Sequence, residues 1–138
     1  MSPVFFTDRD LGKRFAETLE SAGLLAKRHH DLFTHDCPDE EWLEHVGKNG
    51  WIAITHDRRI RYKPNELAAV LRHRVALLVV VGKAPFPVLA RHFVATMPRI
   101  SPFLAKHEAP FIAKVYGPSS ADLADDPDAT GSVALWHR

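Results

Sequence analysis

Val75-Ala-Leu-Leu-Val-Val-Val81 is the segment that most narrows what this chain can fold into. It is seven consecutive apolar residues, four of them β-branched. A strand that never alternates with polar residues needs cover on both faces, as in a parallel sheet between two helical layers. It is also the longest strictly apolar run, and far short of the roughly 20 residues that span a bilayer.

The rest of the chain supplies partners for such a strand. Pro3–Phe6 reads as a short buried strand, and a helix is expected from about Asp8 to Ala22, with Leu11, Phe15 and Leu19 on one face and Gly23 ending it. Leu24–Lys27 is a weaker strand, followed by the polar loop His29–Asp36. Pro38 opens a helix at its first position, with Asp39, Glu40 and Glu41 in the first turn and Gly47 near its end. Trp51–Thr55 is a strand, Asn65–Arg74 a helix behind Pro64, and Val88–Met97 a helix continued by a short one over Pro102–Lys106. Phe111–Tyr116 is expected to close the sheet. Alternating strands and helices imply an α/β fold whose sheet is mostly parallel, with right-handed crossovers.

At 138 residues the chain suits one domain. Charge divides it. Residues 1–117 hold 17 Lys and Arg against 13 Asp and Glu, whereas residues 118–138 hold four aspartates against Arg138. The first stretch is expected to be the folded domain and the second a flexible acidic tail outside it, although Val133–Trp136 is apolar enough to dock. A lone cysteine, Cys37, and the absence of a basic segment followed by an apolar one at the N-terminus point to a cytoplasmic protein with no membrane association.

Ligands of open α/β sheets sit beyond the carboxyl ends of the strands, near the point where strand order reverses. Three acidic points fall there. Asp8 and Asp10 follow the first strand, Asp57 follows Thr55-His56, and Asp39 heads a helix whose apolar stripe, Trp42, Leu43 and Val46, it extends toward the sheet. Glu40 and Glu41 point more nearly sideways. Carboxylates gathered on one rim repel unless a cation neutralises them, and Mg²⁺ or Mn²⁺ takes such oxygens while keeping several waters. Each acid also has a plainer use: Asp8 as a helix cap, the acids 39–41 as partners of a helix dipole, Asp57 as a turn former. Beside Asp57 lie Arg58, Arg59, Arg61 and Lys63, a basic strip suited to phosphates flanking a cleavage point. Gly-Lys pairs at 12, 47 and 82 lack the remainder of a P-loop, no G-x-S-x-G is present, and His29, His30, His35 and Cys37 match no strong zinc spacing.

The runs VFFTDRDLGKRFAETLESAG and PDEEWLEHVGKNGWIAITHD resemble the PIN-like domains, with the nearest pattern in the short branch related to VapC-type toxins of bacterial toxin–antitoxin pairs. The resemblance covers about residues 3–66, and the α/β pattern runs on to about 116. It implies a Mg²⁺- or Mn²⁺-dependent endoribonuclease with an RNA substrate, an antitoxin protein and a homodimer as partners. Asp8, Asp39 and Asp57 would be the catalytic metal ligands, with Thr55, Asp10 and Glu40 behind them and Arg58, Arg59 and Arg61 on the substrate. Two departures stand out. Asp10 occupies a place where the short branch often has Asn, and no fourth acid follows Asp57 at a strand end, Glu66 and Glu108 being the only later acids before the tail. Two other readings use the same residues. A receiver-like signalling domain would accept phosphate on Asp57 and use Lys114, but this chain has Val81-Gly82-Lys83 where a receiver has a hydroxyl. A silent PIN-like module would keep the fold and bind without cutting.

Overall fold

In the computed structural model, which describes residues 3–137 apart from the side chains of Arg61 and His137, six strands form one sheet in the order β2-β1-β3-β4-β5-β6. They are β1 (Val4–Thr7), β2 (Leu25–Arg28), β3 (Ile52–Thr55), β4 (Ala76–Val81), β5 (Phe111–Tyr116) and β6 (Ser132–His137). The first five are parallel, and β6 runs antiparallel against β5. The fold class is the α/β one expected. Strand order reverses between β1 and β3, so the crevice at their carboxyl ends is where a ligand belongs.

Side chains leave alternate faces of each strand, and two cores result. Phe5, Ile54, Leu78, Val80, Phe111 and Ala113 pack on one face against α1 (Lys13–Ser21), α5 (Phe86–Ala95) and α6 (Met97–Lys106). Phe6, Ala53, Leu77, Val79 and Ile112 pack on the other against α3 (Asp39–Asn49) and α4 (Pro64–Arg72). The central run in β4 therefore feeds both cores, which explains why none of it is polar. A four-residue helix, α2 (His29–Leu32), follows β2 directly and carries the buried His29.

Local differences from expectation have local causes. The helix expected over Asp8–Ala22 is interrupted at Gly12, whose φ of +77° ends a 3-10 turn over Arg9–Leu11 before α1 starts at Lys13. Pro38 is the residue before α3 rather than its first. Gly47 lets α3 approach α4, since a Cβ there would stand 2.0 Å from the His73 carbonyl oxygen.

The larger correction concerns residues 118–138, expected to be a flexible tail outside the fold. They build α7 (Ser120–Asp125), closed by a capping box between Ser119 and Asp122, and then β6. Phe111–Tyr116 thus does not close the sheet. The acidic composition belongs to α7 and the loop after it. Within β6, Val133 packs against one core and Trp136 against the other. Arg138 lies outside the described residues. Gly131 makes the return possible, donating its N–H to Thr96 Oγ1 (3.1 Å) at a spot where any Cβ would strike the Tyr116 carbonyl.

Candidate active site

The carboxyl ends of β1 and β3 are tied together by backbone and side chain. Asp8 N–H donates to the Ile54 carbonyl at 2.9 Å, which seats the Asp8 carboxylate beside Thr55. Thr55, fully buried at the end of β3, donates its hydroxyl to Asp8 Oδ2 at 2.8 Å, with Asp10 Oδ2 3.4 Å away. Thr55 Oγ1 accepts the Asp57 N–H at 3.2 Å. Asp10 Oδ2 also accepts from the His56 N–H at 3.2 Å. One hydroxyl therefore joins three of the aspartates singled out in the sequence.

Asp8 is 9% exposed, and its carboxyl is pushed up from 3.8 to about 7, by burial first and then by the neighbouring charge of Asp10. Asp39 adds to the same rise, while the bonds from Thr55 and the Arg9 N–H (2.7 Å to Oδ1) oppose it. The last bond makes Asp8 the cap of the 3-10 turn, the plainer of the two uses expected for it. Asp10 faces water on one side, yet its carboxyl is also raised, through partial burial, with Asp57 contributing.

Asp57 is held differently. Burial pushes its carboxyl up, but Lys63 and Arg59 outweigh that and leave it below the ordinary value. Lys63 Nζ stands 2.6 Å from Oδ2, and the Arg59 N–H reaches Oδ1 at 3.0 Å. Lys63 is raised in return, mainly by this hydrogen bond. Asp39 is half-buried at the head of α3, and its Oδ1 accepts from Trp42 Nε1 at 2.9 Å, so it does follow the apolar stripe inward. Glu40 lies on the surface, paired with Arg72 across to α4 at 2.8 Å. Arg58 and Arg59 are exposed beside Asp57, while the Arg61 side chain lies outside the described residues. Lys114, which a receiver-like site would need among the acids, sits 4.0 Å over the Trp136 ring instead.

Among the described residues no three His, Cys, Asp or Glu side chains converge as a ready ligand set. Asp8 and Asp10 come together through Thr55, whereas Asp39 and Asp57 are turned to Trp42 and Lys63. In chemical kind the residues fit a hard divalent cation. They are carboxylates whose mutual repulsion is relieved by positive charge, and Mg²⁺ needs only one or two of them beside its waters.

A family model described as a PIN-like domain matches residues 3–82, from β1 to the end of β4, and so takes in every one of these acids. The chain belongs to the PIN-like domain family. No curated protein and no solved structure gave a match. PIN-like domains are commonly nucleases. The matched part of this PIN-like chain ends where β4 does, so α5 to β6 lie beyond it. No helix of the described residues is long and apolar enough to cross a membrane.

Sequence reasoning did not anticipate that Lys63 would close on Asp57, a contact made by the 3-10 turn over Ile60–Tyr62. Nor did it find His56, whose Nε2 lies 2.8 Å from the Gly82 carbonyl and links the ends of β3 and β4. Its only signal was its place between Thr55 and Asp57.

Proposed function

We propose that this PIN-like domain hydrolyses RNA phosphodiester bonds with Mg²⁺ or Mn²⁺ as cofactor, and that it is the toxin of a toxin–antitoxin pair. The observation that carries the reading is the joining of Asp8 and Asp10 through Thr55 at the strand-order reversal, in the field of Asp39. Asp8 would hold the ion, with Asp39 and Asp57 turning from Trp42 and Lys63 to join it, and the ion when bound would supply Lewis-acid stabilisation and a water of lowered pKa. Thr55 fixes the Asp8 carboxylate, and a carboxyl near 7 can hold or give up a proton at working pH. Lys63 keeps Asp57 anionic. Arg58 and Arg59 reach from the open side toward flanking phosphates. The toxin assignment rests on the order of the acids along the chain, and it brings an antitoxin and a homodimer with it as partners.

The test is cleavage of labelled single-stranded and structured RNA with Mn²⁺, Mg²⁺ or EDTA, by the wild type and by Asp8→Asn. Cutting that needs the metal and drops at least a hundredfold in the variant supports the reading. Equal cutting by both proteins removes Asp8 from the site. One observation favours a second reading: Lys63 already gives Asp57 its positive charge at 2.6 Å, as a silent RNA-binding module would allow. RNA bound tightly and left intact with every metal would select that module.

A further inference from the structure

A second, differently charged pocket adjoins the acids on the β2 side. Thr7 and Arg28 are paired at the ends of β1 and β2, so Arg28 emerges next to Asp8, and α2 starts at once with His29. Between them lies a half-open cavity of about 190 Å³ walled by Asp8, Arg9, Arg28, His29, His30 and His35. Asp8 is its single acid. Two guanidinium groups and three imidazoles make the other walls, an arrangement with no part in the reading of the acids.

The pocket has hydrogen-bond donors to spare. His29, 1% exposed, contributes a wall whose ring packs among Phe6, Phe33 and Trp42. The arginines are only lightly engaged. Arg28 Nη1 stands 3.5 Å from Asp31, whose side chain is 60% exposed, and Arg9 donates one Nη1 bond to the His35 carbonyl. Each guanidinium has five N–H donors, so most remain to be used. The pair with Asp31 is loose and watery, hence easily exchanged for a better anion.

The charge count narrows the class. An internal phosphodiester carries one negative charge, a terminal phosphomonoester close to two near neutral pH. Two arginines match the dianion. We propose that this pocket holds the terminal phosphomonoester of an RNA strand and so presents a nearby phosphodiester to Asp8. The proposal rests on the ribonuclease reading for its substrate and on the pocket alone for its anion.

The experiment is a titration of the full chain in EDTA with uridine 5′-monophosphate, uridine 3′-monophosphate, uridine and inorganic phosphate, followed by the His29 ring resonances. At least one monophosphate is expected to shift them saturably while uridine does not, and the tighter isomer names the strand end. Arg28→Gln should weaken binding roughly tenfold, as expected for losing a charge-assisted bond, whereas Arg72→Gln, on α4, leaves it unchanged. No shift, equal binding by uridine, or wild-type affinity in Arg28→Gln overturns the proposal. Inorganic phosphate binding as tightly as both nucleotides also overturns it, in favour of a free anion. Cleavage assayed on the same preparations separates the two readings. A protein that binds the nucleotide but cuts no RNA loses the nuclease, and one that cuts without binding loses only the pocket.

Discussion

Ionising Asp8 means charging a carboxylate that the fold has largely taken out of water and set beside Asp10. Its pKa rises from 3.8 to about 7, so the folded state holds a proton that the unfolded chain has already lost. The sign follows. Stability from this group is complete below about pH 4 and is lost as pH climbs through 7, by roughly 4 kcal/mol at about 1.4 kcal/mol per unit. Asp8→Asn removes the titration. In the metal-free protein the variant should match the wild type near pH 4 and exceed it by that order at pH 8, as read by urea unfolding at both pH values. An equal gap at the two would show that Asp8 is not the strained group. Asp57 behaves oppositely, because Lys63 and Arg59 favour its charged form.

At the scale of elements, β6 is the piece whose importance composition concealed. Trp136 is packed against the α3/α4 core, with Lys114 over its ring and Tyr62 edge-on at 5.9 Å. Trp136→Ala should therefore cost about 2 kcal/mol in denaturant unfolding, from lost apolar burial and the cation–π contact. A cost near zero would return the segment to the status of a loose tail. The contrast between β4 and β6 shows what a sequence displays. Seven apolar residues in a row announce a doubly covered strand from local information alone. The pattern of β6 is legible only with β5 beside it, since Gly131 and Thr96, 35 positions apart, fix where the chain turns back. The candidate site divides likewise. Asp8, Asp39 and Asp57 could be found because each follows a strand or heads a helix. The Lys63 contact and the pocket between β1 and β2 could not, because they depend on a 3-10 turn and on the pairing of Thr7 with Arg28.

Over the whole molecule, charge is arranged along one rim. The acidic α7 leaves from the carboxyl end of β5, while Arg58 and Arg59 follow β3, Arg9 follows β1 and Arg28 ends β2. Under the proposed function, an RNA strand on that rim would be drawn toward the β2 side and away from α7. Its binding should depend on salt through the phosphates it meets, with a slope of about −0.7 per contact for a single strand. Measured by fluorescence anisotropy in EDTA on the Asp8→Asn background, replacing Arg58 and Arg59 together by Gln should flatten log Kd against log salt by about 1.4. An unchanged slope would mean that neither arginine touches the backbone.

The burial of Asp8 has one more consequence. A carboxyl that is half protonated near pH 7 must shed what it carries before its oxygen can face a divalent ion, so Mn²⁺ taken up at the proposed site would acidify the solution around it. Near neutrality about half a proton should leave per ion, and calorimetric heats taken in buffers of different ionisation enthalpy would count it. Apparent affinity should then climb up to about tenfold per unit below pH 7 and level off above it. In a cell, a modest drift in acidity would act on such a protein as a change in its effective metal supply.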